Sequence, residues 1–188
     1  MSSHIVIEHI EAECTLRDRA TKGDLAFVEQ FSSASRRCEV LSWRAIVRRE
    51  LGNGVEISHD EYGAPKVKTP NTIYNISVSH CRDRVAVLFS EDVCAVDIEQ
   101  IGRDFRKVAS RYLSDEEQTI AERYGLYAEM WCAKEALYKY YKKGHLDLVR
   151  DVAISEYERG VLYGSILGSA PIAVRVWREG DIAVAVID

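Results

Sequence analysis

Two carboxylates stand one residue apart in Val93-Cys94-Ala95-Val96-Asp97-Ile98-Glu99. On a strand, side chains alternate, so Asp97 and Glu99 share a face about 7 Å apart along the chain, and Cys94, Val96 and Ile98 take the other. Like charges this close repel, so a cation or hydrogen-bond donors must offset them. A small cluster of oxygen ligands favours Mg²⁺ or a similar hard ion, which usually shares its shell with substrate phosphates. A solvated strand end with two harmless acids is the other reading, and D-x-E alone does not choose between them.

A second group is Trp131-Cys132-Ala133-Lys134-Glu135-Ala136-Leu137-Tyr138-Lys139. Trp131, Glu135 and Lys139 follow one another at four-residue steps, so on a helix they stack along one face. The large aromatic places that stripe partly out of water, where a carboxylate needs a partner, and a metal is one. An ordinary Glu135–Lys139 pair fits the spacing equally well. The third group, Ile76-Ser77-Val78-Ser79-His80-Cys81, is a strand running into a turn. Ser79 and His80 are both able to donate to a phosphate, or Ser79 simply caps the turn. No G-x-S-x-G elbow surrounds either serine, which counts against a serine hydrolase.

The elements that position these groups follow from periodicity. His4 to Ile10 reads as a strand. Helices are expected from about Thr21 to Phe31 and from Ala34 to Leu51, the latter stopped by Gly52-Asn53-Gly54. A loop-rich section with Gly63, Pro65 and Pro70 precedes a strand at Ile73 to Ser79. Val85 to Ser90 and Val93 to Glu99 read as strands joined by the Glu91-Asp92 turn. Helical sequence is expected at Arg103 to Tyr112, after the capping box Ser114-Asp115-Glu116-Glu117, and from Leu126 to Lys142, ending at Gly144. Four strand-like runs close the chain, at Val152 to Tyr157, Val161 to Leu167, Ile172 to Trp177 and Ile182 to Ile187.

The 188 residues are 47% hydrophobic and 29% charged, an ordinary globular balance, with a net charge of −5 that argues against a nucleic-acid coat. The longest apolar run is far short of the roughly 20 residues a spanning helix needs, so no membrane segment is expected. Met1 to Ile10 has neither a basic nor an apolar leader region, so no secretory signal is expected. Five cysteines, odd in number and without a C-x-x-C, fit a reducing cytoplasm and small buried apolar roles.

A faint repeat joins the halves. Val6-Ile7-Glu8-His9-Ile10 matches Asp97-Ile98-Glu99-Gln100-Ile101, and Trp43-Arg44-Ala45 matches Trp131-Cys132-Ala133. The asymmetry is instructive: Asp97 and Glu135 stand where the first half has Val6 and Val47. If the halves are duplicates, only the second kept the acids.

Taken in order, Ser79-His80, Val96-Asp97-Ile98-Glu99, Arg111 to Glu117, Trp131 to Ala136 and Lys139 resemble the 4′-phosphopantetheinyl transferases. The nearer match is the surfactin-activating (Sfp) type, whose motifs are an S-H pair, (V/I)-G-(I/V)-D-(I/V)-E, R-F-F-x-x-x-E and W-x-x-K-E-(A/S)-x-x-K. The resemblance runs from about Gly63 to Val152. It implies an α+β fold, a pseudo-dimer of two similar α/β subdomains, residues 1–91 on the coenzyme A nucleotide side and 92–188 carrying the metal and catalytic acids. It implies a cytoplasmic monomer with internal pseudo-twofold symmetry. The implied reaction moves the phosphopantetheine arm of coenzyme A to a serine of an acyl or peptidyl carrier protein, releasing 3′,5′-ADP. By motif, Asp97, Glu99 and Glu135 would hold Mg²⁺, and Glu135 would take the serine proton directly or through water. Lys134 and Lys139 would neutralise the pyrophosphate, and Ser79 and His80 would hold phosphate oxygens.

The chain departs from the pattern in places. Ala95 replaces the glycine before D-x-E. The usual G-K-P reads Gly63-Ala64-Pro65, and Lys66 or Lys68 is the substitute the resemblance points to. Arg36 and Arg37 are candidates for the nucleotide 3′-phosphate, although Arg36 to Arg49 also reads as a solvated helix face. Arg103, Arg106 and Lys107 form a candidate surface for an acidic carrier. Two alternatives remain: a Mg²⁺-dependent nuclease or phosphodiesterase, for which the E-x-K pair is missing, and a catalytically dead coenzyme A- or carrier-binding module.

Overall fold

The computed structural model describes residues 3–188, and the chain divides into two compact units, one ending at Asp92 and the other beginning at Val93. In the first, β1 (His4–His9) is followed by α1 (Glu13–Arg19), α2 (Lys22–Val28), α3 (Ala34–Leu51), β2 (Glu56–His59), β3 (Pro65–Lys68), β4 (Ile73–Cys81) and β5 (Arg84–Ser90). All pairings are antiparallel and the sheet order is β1-β5-β4-β3-β2. The long helix α3 lays Val40, Leu41, Trp43, Ile46 and Val47 on this sheet, against Val67, Tyr74, Ile76, Val85 and Val87. Ser33 caps its start by accepting from the Arg36 N–H, and Gly52 ends it at φ +95°, a conformation that favours glycine.

The second unit contains β6 (Ala95–Gln100), a 3₁₀ turn (Arg106–Arg111), α4 (Asp115–Tyr124), α5 (Tyr127–Tyr141), β7 (Val152–Glu158), β8 (Val161–Ile166), β9 (Ile172–Glu179) and β10 (Ile182–Ile187). Its sheet is again fully antiparallel, in the order β6-β10-β9-β8-β7. Each unit's first strand therefore pairs with its last, and a long helix covers one face. The two α+β units share one topology. The faint repeat read from the sequence falls on matching elements: Val6 and Asp97 on the first strands, Trp43 and Trp131 on the long helices.

Helix α5 sits close to its sheet because the facing residues are small. Ala95, Ala183 and Ala185 are fully buried beneath it, with Leu137 and Val152 in the same core. At Gly164, a Cβ would crowd the Leu137 side chain and the Ala153 carbonyl, so glycine lets the helix lie at this depth without displacing Leu137.

Several expectations are corrected here. The loop-rich section is a hairpin, β2 and β3, in which Pro65 opens its strand, where no ladder donor is missed. Helix α1 was not expected at all. The helix expected from Arg103 is a shorter 3₁₀ turn. Glu91 and Asp92 do link β5 to β6, but those strands belong to different sheets and form no hairpin. Helix α5 ends at Tyr141, with Lys142 itself left-handed at φ +60° rather than Gly144 making the stop. The capping box at Ser114 and Glu117 stands as read. All five cysteines are free, and Cys81, Cys94 and Cys132 are buried. Among the described residues, no helix is long and apolar enough to cross a membrane.

Candidate active site

Strand β6 lies at the sheet edge beside β10, with Asp97 opposite Ala185 and Glu99 opposite Ala183. Both acids thus occupy the helix-facing side of the strand, where a core residue would normally sit. In the first unit the corresponding residue, Val6, packs into the core under α3, and Val47 is fully buried there. Asp97 and Glu135 thus stand in positions that the first unit fills with valine, whereas the position matching Glu99 is already an acid, Glu8.

Glu135 on α5 is close enough to β6 for its carboxyl to feel the charges of Asp97 and Glu99. It is partly buried, and burial raises its proton affinity above the usual carboxylate range. The charges of Asp97 and Glu99 push it further, while Lys139 opposes them. Lys139 donates to Asp97 Oδ1 at 2.8 Å and to the Val96 carbonyl at 2.9 Å, tying α5 to β6. Glu99 accepts from Arg103 Nη1 at 2.5 Å. Cys132, wholly buried, donates to the Ala183 carbonyl, and burial with the neighbouring Asp97 and Glu99 charges holds its thiol protonated. The stripe of Trp131, Glu135 and Lys139 is therefore at the site, with Trp131 packed edge-on against Tyr112 at 5.0 Å.

The donor set is all oxygen, which suits a hard divalent cation. Among the described residues, however, no three acidic, histidine or cysteine side chains already converge as a metal cage. The protein's own cations hold two of the three acids: Lys139 is on Asp97 and Arg103 on Glu99.

Lys134, expected at a pyrophosphate, is engaged within the protein. Its ammonium is completely buried, 2.6 Å from Glu117 Oε1, and donates to the carbonyls of Leu148 and Val152. Burial lowers its proton affinity and Glu117 pulls the other way. Glu117 also accepts from the Ser114 N–H at 2.8 Å and the Ile154 N–H at 2.6 Å, so this pair joins α4, α5 and β7. The sequence reading missed that hub. Its signal was present in the apolar Met130 and Leu137, which flank Lys134 at helical spacing.

In the first unit, Ser79 and His80 are neighbours on β4 and so point to opposite faces. Ser79 is buried on the face that also carries Ser77, and Lys66, half-buried on β3, lies on that same side through its pairing with Asn75. His80 faces α3, where its Nε2 lies 2.9 Å from Arg36 Nη1 and 3.3 Å from Glu39 Oε2. Arg36 and His80 flank a cavity of about 310 Å³ lined by Phe27, Phe31, Trp43 and His59. The Phe27 and His59 rings stack at 5.5 Å. Arg37 is engaged differently: two bonds to Glu13, at 2.8 and 3.0 Å, and others to the Phe31 and Ser32 carbonyls fasten α3 to α1.

A family model of the 4′-phosphopantetheinyl transferase superfamily matches residues 93–187, the whole second unit but for its last residue. The chain belongs to that superfamily, whose members are transferases using coenzyme A as the substrate. A comparison with individual curated proteins returns no match.

Proposed function

We propose that this protein is a holo-carrier-protein synthase of the surfactin-activating type. It moves the 4′-phosphopantetheine arm of coenzyme A onto a serine of an acyl or peptidyl carrier protein. The observation that carries this reading is the exchange of valines for acids: Asp97 and Glu135 stand where the first unit, of the same topology, has Val6 and Val47, and Glu99 lies on the same face of β6 as Asp97. The family match covers all three acids and Lys139, which leaves the nuclease alternative without support.

Asp97, Glu99 and Glu135 would hold Mg²⁺, whose chemistry is to neutralise the diphosphate and stabilise the leaving oxygen. Glu135 takes the proton of the carrier serine. Its raised proton affinity suits a base that must gain a proton in the reaction. The serine oxygen bonds to the phosphorus bearing the pantetheine arm, the bridging P–O bond breaks, and 3′,5′-ADP leaves. Lys139, already fixed on Asp97, stays beside the developing charge. At the other end of coenzyme A, Arg36 and His80 receive the 3′-phosphate while the aromatic cavity beside them takes the base. Ser79 and Lys66, which share the other face of that sheet, would hold a further phosphate oxygen. The shared topology of the units supports a monomeric pseudo-dimer, and the free cysteines support a reducing cytoplasm.

The test is intact mass spectrometry of apo-carrier proteins incubated with coenzyme A and Mg²⁺. A gain of one phosphopantetheine is expected, and no gain across acyl, peptidyl and aryl carriers would refute the reading. Reversing the charges of Arg103, Arg106 and Lys107 should raise the carrier KM and spare that of coenzyme A. Unchanged carrier kinetics would remove this surface from the proposal.

A further inference from the structure

Arg103 is placed to do more than attract a partner. It follows β6 directly, stacks its guanidinium over Phe105 at 4.9 Å, and bonds Glu99 at 2.5 Å. Its side chain is 58% exposed, whereas that of Glu99 is only 16% exposed. One end of this ion pair thus faces solvent and the other belongs to the acid cluster. A guanidinium on Glu99 Oε2 takes one of its two oxygens and places a positive charge beside any cation on the other, so the ion pair weakens the hold of Glu99 on a divalent cation.

Arg103 also lines a hollow of about 160 Å³ with Arg106, Arg178, Phe105, Tyr127 and one acid, Asp104, so that three cations face one anion there. That volume admits an acidic side chain and nothing as large as a folded element. Each of the three arginines is held by an acid of this chain: Arg103 by Glu99, Arg106 by Glu122 at 2.8 Å, Arg178 by Glu129. Of these acids only Glu99 belongs to the candidate site. A carboxylate arriving in the hollow offers Arg103 a second partner and leaves Glu99 to the cation.

We propose that Arg103 couples carrier docking to metal loading: an acidic side chain of the carrier draws Arg103 off Glu99 and thereby completes the ligand set. The idea rests on the transferase reading above. Arg103 is a positioning residue in this scheme, touching neither coenzyme A nor the reacting atoms. Linkage makes the effect reciprocal, so the carrier must tighten metal binding by the same factor that the metal tightens carrier binding.

The experiment titrates Mg²⁺ calorimetrically into the coenzyme A-bound protein, with and without an apo-carrier that the wild type modifies and whose acceptor serine has been replaced by alanine. For the wild type, the carrier should tighten Mg²⁺ binding about two- to fivefold, the range an exposed ion pair supplies. Arg103→Gln should bind Mg²⁺ as tightly without the carrier as the wild type does with it, and the carrier should add nothing. Arg103→Lys, which keeps the competing charge, should retain the carrier effect. A wild type indifferent to the carrier, an Arg103→Gln variant that still responds to it, or an Arg103→Lys variant that does not would each overturn the coupling. Failure of the transferase reading is recognised separately, since the unaltered carrier would then gain no mass.

Discussion

Replacing Lys134 with methionine separates two roles for a lysine that lies next to Glu135 in the chain. Its ammonium is fully buried and Glu117 nearly so, at 0% and 3% exposure. Removing the ammonium leaves the Glu117 carboxylate in place with only the Ser114 and Ile154 N–H groups to satisfy it. It also strips a donor from the Leu148 and Val152 carbonyls. Breaking a buried pair from one side costs about 3–5 kcal/mol. For a chain of this size each kcal/mol lowers Tm by roughly 2–4 °C, so a fall of about 6–20 °C is expected. Adding Glu117→Gln should restore part of the loss, because the uncompensated charge disappears, and the two substitutions should fall short of additivity by about 0.5–3 kcal/mol. The assay is thermal and urea unfolding followed by circular dichroism, with coenzyme A kinetics on the material that remains folded. A Lys134→Met variant that melts within about 2 °C of the wild type but needs tenfold more coenzyme A would refute this reasoning and return Lys134 to the pyrophosphate.

Asp24 carries the expected acid sensitivity. Burial raises its proton affinity, but bonds from Arg48, Thr21 and Arg44 outweigh burial and hold it far below the usual carboxylate range. Its folded form resists protonation more than its unfolded form, so the stability it contributes is complete above about pH 4 and is lost as pH falls below that. Asp24→Asn should cost about 3–5 kcal/mol at neutral pH by leaving Arg44 and Arg48 unpaired, and should flatten the acid limb of the stability profile measured by urea unfolding. Arg36→Ala should raise the KM for coenzyme A about tenfold and leave that for dephospho-coenzyme A unchanged, as steady-state kinetics with both donors will test. Glu135→Gln should lower kcat by about 10²–10⁴ with an unfolding midpoint no lower than that of the wild type, since it removes the base together with a carboxylate that burial and its acidic neighbours disfavour.

Where the chain could be read from sequence, one periodicity dominated and both of its ends were marked. Helix α3 runs from Ala34 to Leu51 as expected because its apolar residues recur at three and four and Gly52 closes it. Strand β10 is an unbroken apolar run, Ile182 to Ile187, because it is paired on both sides and buried on both faces. Helix α1 was invisible for the opposite reason: of its seven residues only Leu16 is buried, so no stripe forms. The β2–β3 hairpin hid behind Pro65 and Gly63, turn formers that here sit at the strand's start and in the connection. The acid cluster was legible as D-x-E and as a four-residue stripe, since each is local in sequence. Arg103 on Glu99 was within reach too, four residues apart. The burial of Lys134 was signalled by Met130 and Leu137, but its partner was not, because Glu117 lies on another helix and charge in a sequence reads as surface.

The comparison of the two units says why the acids are costly where they are and what keeps them there. A valine at the Val6 position contributes burial and asks for nothing. An aspartate at the equivalent position on β6 must be given a partner at once, and Lys139 supplies it from the helix above while also holding the strand through the Val96 carbonyl. The bond that neutralises Asp97 is therefore the same bond that fixes the distance between α5 and β6, and with it the distance between Glu135 and the other acids. Lys139 sits at 31% exposure, and Arg103 nearly twice as exposed at 58%. The inner cation has two acceptors and is built into the packing, whereas the outer one has a single acceptor and an open side. A site assembled this way is stable at its core and adjustable at its rim: the acid meant to exchange partners is Glu99, and Asp97 keeps its own.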